Sequence, residues 1–322
     1  MKILLVGLGG MGNCHFKNWS RIDGAQVTAA VGCSDPDRMR AAEWGLPYYT
    51  SIREACGGEA VDLVDICAPT FLHKPLVLEA LSQKKHTITE KPMALSVQDA
   101  LQMFAAADQA GVQLYVAQVL QFTREVEVLR GVVKDGRYGK ALDAHFERLS
   151  ACPKWTQDSW MLEKEKSGLI PYDLHIHDLD VIISLFGKPD GIETVTCGGA
   201  DKAYKEHYRF LYSWADGLHV SAEAAWFNAC IPFTARWRVY FERGCLIAEG
   251  GSVCGYGADG EKTDFDISEA VTVSVGTNLP PNGWFYRELS HLMHCAEEGK
   301  PSPLVPREQV IAVLETVQKL DQ

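Results

Sequence analysis

The chain has 322 residues, 47% of them apolar, and a formal charge of −11, enough for about two domains at roughly 150 residues each. Its 31 basic against 42 acidic residues oppose the clustered Lys and Arg that a nucleic-acid surface requires, so no nucleic-acid partner is expected. No apolar run approaches the ~20 residues of a membrane span, and the opening Met1–Val6 breaks into glycines too early for a signal-peptide core, so a cytoplasmic protein with no membrane partner is expected.

From the N-terminus, Lys2–Val6, Gln26–Val31, Val61–Cys67, His86–Thr89 and Val112–Ala117 read as strands. Between them Met11–Ser20, Pro69–Ser82 and Ser96–Ala110 carry apolar residues at helical spacing, the last behind a Ser96 cap. Strand and helix alternating in this way imply an α/β, doubly wound parallel sheet of the Rossmann kind over residues 1–120. After about residue 120 the candidates Ala141–Leu149, His207–Trp214, Leu218–Trp226, Ala235–Phe241 and Cys245–Glu249 are longer and rich in aromatics. They read as antiparallel, with Asp216-Gly217 and Arg243-Gly244 as hairpin turns where glycine supplies a positive φ. Helices Trp284–Glu298 and Arg307–Leu320 close the chain. Residues 121–322 therefore form a second, α+β domain with an open, mostly antiparallel sheet, and its terminal helices are able to pack back on the first domain. That sheet needs one face covered, so a dimer or tetramer through it is expected, which light scattering tests. The ten cysteines are scattered without a CxxC pair, which gives no zinc framework and suits reduced core thiols.

Gly7-Leu8-Gly9-Gly10-Met11-Gly12 is GxGxxG between a strand and a helix. The first glycine permits the turn, the second lets backbone N–H groups approach a pyrophosphate, and the third allows close helix packing, so a dinucleotide is the implied ligand. An NAD site calls for a carboxylate at the end of the second strand, where this chain has Cys33-Ser34-Asp35. Asp35 either accepts from the ribose or caps a helix ahead of Pro36. In the second case Cys33 and Ser34 face the ribose with Arg38 one turn away, a setting that tolerates a 2′-phosphate, and NAD and NADP both stay open. Glu90-Lys91-Pro92 follows the strand His86–Thr89, which places Lys91 at the carboxyl end of a parallel strand, where such sheets bind ligands. Further on, Asp173 and His177 lie four apart at the start of a helix that runs to Phe186 and share a face.

GxGxxG after the first strand, Glu-Lys-Pro after a later one and Asp-x-x-x-His on a helix of the second domain together resemble the Gfo/Idh/MocA oxidoreductases over nearly the whole chain. The resemblance implies that Lys91, Asp173 and His177 line a nicotinamide pocket and that Glu90 lies at the cofactor. It implies the same of Ala68-Pro69-Thr70 with His73, and that Tyr286 reaches the substrate. The chain departs from the family pattern in having His175 for a glycine, only Gly168 where two or three glycines are usual, and Cys33 for the acid ending strand two. Trp155, just before the helix motif, is expected to shape the substrate pocket.

The reading is an NAD(P)-dependent oxidoreductase that transfers a hydride between the nicotinamide and a secondary carbinol of a sugar, polyol, inositol or related compound. His177 is the expected general base, Asp173 orients it, and Lys91 offsets developing alkoxide charge. The alternative is a non-catalytic dinucleotide or sugar sensor of the same fold. No metal is expected: on a helix His175 and His177, two apart, point to different faces. His175 is expected to be partly buried or in contact with the substrate.

Overall fold

Ile3, Leu4 and Leu5 in strand β1 (Lys2–Val6) are fully buried, which requires cover on both faces of the sheet and accounts for a continuous apolar run rather than alternation. In the computed structural model, which describes residues 1–154, 157–274 and 280–320, the chain divides into two units. The first comprises Met1–Val119 and Ala270–Ile311, and the second Leu120–Glu269 together with the residues from Ala312 on. The segment Ala270–Ile311 belongs to the first unit.

In the first unit β1 is followed by α1 (Gly10–Trp19), β2 (Gln26–Val31), α2 (Asp35–Glu43), β3 (Tyr48–Tyr49), α3 (Ile52–Gly58), β4 (Leu63–Ile66), α4 (His73–Ser82), β5 (His86–Glu90), α5 (Val97–Ala110) and β6 (Leu114–Ala117). Ser96 caps α5 by accepting from the Asp99 N–H at 3.1 Å, as the sequence implies. The six strands pair in parallel in the order β3-β2-β1-β4-β5-β6. The order reverses between β1 and β4, so their carboxyl ends flank the crevice where doubly wound sheets take ligands.

The second unit opens with α6 (Arg124–Asp135), β7 (Ala141–Ala151), α7 (Lys164–Ser167), a π-helical turn over Pro171–His175 and α8 (Ile176–Phe186). It continues through β8 (Gly191–Cys197), β9 (His207–Ser213), β10 (His219–Phe227), β11 (Thr234–Phe241), β12 (Gly244–Glu249), β13 (Ser252–Gly257) and β14 (Lys262–Phe265). These strands form one sheet in the order β14-β13-β12-β11-β7-β10-β9-β8. The sheet is mostly antiparallel, but β7 and β10 pair in parallel. The chain between them carries α7, the π-turn and α8 and then the antiparallel strands β8 and β9, a long connection of the kind a same-direction return requires. Asp216-Gly217 turns β9 into β10 with Gly217 at φ +92°. Gly244 does not have the positive φ expected of it. Its requirement is space, since a Cβ there would stand 2.5 Å from the Tyr138 ring.

Helices α9 (Trp284–Glu297) and α10 (Arg307–Leu320) follow. α9 packs against α1, bringing the Phe285 ring to 6.0 Å from that of His15. Among the described residues no helix is long and apolar enough to cross a membrane.

Candidate functional site

The glycine loop of the first unit is built for a close ligand. Gly7 has φ +85° and sits so near the turn after β4 that a Cβ would lie 2.8 Å from the Ala68 nitrogen. A Cβ on Gly12 would lie 2.0 Å from the Gly7 carbonyl oxygen, so helix and strand approach as only glycine permits. At Gly9 and Gly10, by contrast, a Cβ would meet nothing within 4 Å. α1 starts there with no side-chain cap and no acidic residue in its first turn, which leaves its N–H groups and positive dipole end to an anion. A dinucleotide pyrophosphate fits this cradle, and Leu8 and Met11 are the other residues of its rim.

Beyond β2, the cap of α2 is Ser34 rather than Asp35. The Ser34 hydroxyl accepts from the Asp37 N–H at 3.3 Å, and the Asp37 carboxylate returns to the Ser34 N–H at 3.2 Å. A capping box needs its acid three residues after the cap; that position is Asp37 for Ser34, but it is Arg38 for Asp35. Asp35 is the exposed first residue of the helix, Cys33 is exposed, and Arg38 lies over the Tyr48 ring at 5.0 Å. Arg40 donates to the Leu8 and Gly9 carbonyls, tying α2 to the glycine loop.

After β4, Ala68, Pro69 and Thr70 lead into a short 3-10 turn. His73, fully buried, lies between this turn and the Glu90-Lys91-Pro92 turn after β5, with Nε2 2.9 Å from the Ala68 carbonyl and Nδ1 2.8 Å from the Pro92 carbonyl, and in its neutral form its single N–H donates to one of the two. Burial holds its pKa below the ordinary histidine value despite those two acceptors. Glu90 is turned inward. Its Oε1 lies 3.1 Å from His15 Nε2, and its Oε2 accepts the Lys91 N–H at 3.0 Å. His15 Nδ1 in turn lies 2.9 Å from Asp65 Oδ2, which also accepts from Trp19 Nε1 at 2.6 Å. Burial, the largest single influence, disfavours the His15 cation, but the charge and hydrogen bond of Asp65 together with neighbouring Cys67 hold the pKa well above the usual value. His15 and Asp65 are absent from the sequence reading. A carboxylate inside the apolar strand Val61–Cys67 was the available signal, because a buried Asp is almost never left unpaired. Tyr286 is half-buried on the first turn of α9 in the same unit. Trp155 lies outside the described residues.

In the second unit, all residues from Pro171 to Asp180 are buried except Asp173 and His177. Around them the segment is clamped. Asp178 receives a bidentate ion pair from Arg148 of β7 (Nε–Oδ2 3.0 Å, Nη2–Oδ1 2.7 Å), and Asp180 Oδ2 accepts from Gln121 Nε2 at 2.7 Å. His175 is neither partly buried nor a substrate contact. It is fully buried, with Nε2 2.7 Å from the Tyr212 hydroxyl and its ring stacked on Phe210.

Burial, aided by the Arg148 charge, lowers the His175 pKa to about 3. Between its ordinary value of 6.5 and about 3 the unfolded ring is protonated while the folded one is not. Stability therefore falls as pH drops through this window, by at most about 1.4 kcal/mol per pH unit. His15, with its pKa raised, acts oppositely: its contribution is full below about 6.5 and lost as pH rises. Thermal melts at pH 7 and pH 5 are expected to show a smaller acid-side loss in His175→Phe than in the parent, and an equal loss would disprove the assignment.

The first unit is thus a dinucleotide-binding Rossmann domain, joined in one chain to a second, mostly antiparallel α/β unit that carries an Asp-x-x-x-His helix. A family model described as "Oxidoreductase family, NAD-binding Rossmann fold" matches residues 1–118, and one described as "GFO/IDH/MocA C-terminal domain" matches residues 126–247. The chain belongs to the Gfo/Idh/MocA family. It is 32% identical over 200 residues, 62% of this chain and 53% of the relative, to 2,7-anhydro-N-acetylneuraminate hydratase of Escherichia coli (strain K12). It is also 29% identical over 203 residues, 62% of this chain and 58% of the relative, to myo-inositol 2-dehydrogenase of Thermotoga maritima. The chain spans about half the length of the curated relatives it matches. Aldose-aldose oxidoreductase from Caulobacter crescentus shares the fold with TM-score 0.85 at 19% identity, over 100% of this chain and 96% of that one.

Proposed function

We propose that the chain is an NAD(P)-dependent oxidoreductase acting on a secondary carbinol of a sugar, polyol, inositol or related compound. The observation that carries this is the accessible Asp173–His177 pair on an otherwise buried segment, in a chain whose first unit has an open pyrophosphate cradle. The nicotinamide, when bound, supplies the hydride chemistry. Backbone N–H groups of Gly9, Gly10 and Met11 hold the pyrophosphate, residues 33–38 the adenosine ribose, and Ala68, Pro69, Thr70 and His73 the edge after β4. A ring nitrogen of His177 takes the hydroxyl proton of the carbinol, because imidazole has its pKa nearest neutrality. Asp173 orients that ring and stabilises its charged form, and Lys91 Nζ donates to the reacting oxygen as charge develops there. Tyr286 contacts the substrate.

The relatives' names include a hydratase beside dehydrogenases of apiose, inositol and glucose 6-phosphate, so a sugar-like substrate suits this chain and the net reaction has to be read from products. Fluorescence titration with NADH and NADPH, followed by a panel of sugars, polyols and sugar acids with each oxidised cofactor and product analysis, tests the reading. Turnover on a member of the panel is expected. Tight binding without turnover would replace the enzyme with a sensor, and no binding of either nucleotide would overturn both.

A further inference from the structure

We infer that Asp37, reaching back from the first turn of α2, is the residue that reads the adenosine ribose, and that the chain selects NAD over NADP. This rests on the dinucleotide reading and makes it specific. The strand that should end in a carboxylate ends instead in Val31 and runs on as Gly32-Cys33-Ser34, so no acid stands where a Rossmann domain ordinarily binds the ribose hydroxyls. The charge is nevertheless there. Asp37 Oδ2 accepts the Cys33 N–H at 3.2 Å, the Ser34 N–H at 3.2 Å and the Ser34 hydroxyl at 2.7 Å, which sets a carboxylate against the end of β2 from the helix side.

Gly32 makes this possible. A Cβ on it would stand 2.5 Å from Asp37 Cβ, so any other residue at that position would push the carboxylate away. Two consequences follow for a nucleotide. The donors that a 2′-phosphate would use at this turn, two backbone N–H groups and a hydroxyl, are already satisfied by an anion, and a second anion there meets repulsion in place of hydrogen bonds. A ribose 2′-OH, by contrast, can donate to Oδ1, since the hydrogen bonds Asp37 makes fall on Oδ2. The nearby cations are engaged elsewhere, Arg38 over Tyr48 and Arg40 on the loop carbonyls.

The test is fluorescence titration of the parent and of Asp37→Asn with NADH and with NADPH, each variant checked by circular dichroism. The parent is expected to bind NADH at least about tenfold tighter than NADPH. Asp37→Asn keeps an oxygen for the turn's N–H groups and removes the charge, so the ratio is expected to fall about tenfold, chiefly through tighter NADPH binding. Equal or reversed preference in the parent, or a ratio unmoved in a folded Asp37→Asn, overturns the inference while leaving the dinucleotide reading intact. Should the variant not fold, the parent ratio decides alone. Failure of both nucleotides to bind removes the dinucleotide reading itself, and this inference with it.

Discussion

Replacing His177 with alanine is expected to lower kcat by about a hundred- to ten-thousandfold, and replacing Lys91 with alanine by about a hundred- to a thousandfold, with NADH affinity changed less than about threefold. The losses belong in kcat because both groups act on charge that exists only as the carbinol proton leaves. Lys91 is well placed for such a role by the chain beneath it. Its main-chain N–H is fixed on Glu90 Oε2 at 3.0 Å, Glu90 is fixed on His15, and His15 on Asp65. The base of the Lys91 side chain therefore starts from a rigid turn, and preorganisation of that kind is what makes an electrostatic contribution large. His177 should also leave a mark that a structural residue would not: the acidic limb of the kcat/KM profile is expected to disappear in His177→Ala if it is the base. Groups that act on one proton transfer are strongly non-additive, so the double variant is expected to lose little more than the worse single one. Retention of kcat within about tenfold in both single variants, with the pH profile unchanged, would remove these residues from the chemistry.

The parts of the fold that the sequence made legible are those where one face, or both, had to be buried. β1 and β2 end where their buried apolar runs Ile3–Val6 and Ala29–Val31 meet glycine, because a strand covered on both sides reads as a continuous apolar run. The glycine loop was legible for a different reason, since its spacing is that of a dinucleotide cradle between strand and helix. What was not legible depended on partners distant in sequence. The parallel pairing of β7 with β10 follows from the crossover between them, and nothing within either strand encodes it. β8 and β14 have no buried position, so they lack the buried face that marks a half-buried strand. The shift of the α2 cap from Asp35 to Ser34 is a local ambiguity, as Ser and Asp cap almost equally well and the decision falls to Asp37. The π-turn over Pro171–His175, which carries Asp173, adds a residue that helical spacing does not register.

The second large effect concerns stability. Arg148→Met is expected to destabilise the second unit by about 3–5 kcal/mol, because it leaves the Asp178 carboxylate buried without its bidentate partner. Both side chains are at least nine-tenths buried, so water cannot take the arginine's place, and the carboxylate must either stay charged at high cost or take up a proton. Asp178 follows His177 directly and is held to β7 by this pair, so the variant also loosens an anchor between the segment that carries His177 and the central strand of its sheet. Urea melts followed by tryptophan fluorescence measure the loss, and the transition of the second unit should move while that of the first stays in place. Removing both charges with Arg148→Met/Asp178→Leu is expected to restore most of the stability, since an apolar pair of similar volume often replaces a buried ion pair without net cost. Activity separates the two roles of the pair. If the clamp exists to position His177, the double variant regains stability but not kcat; if it only fills the core, both return together.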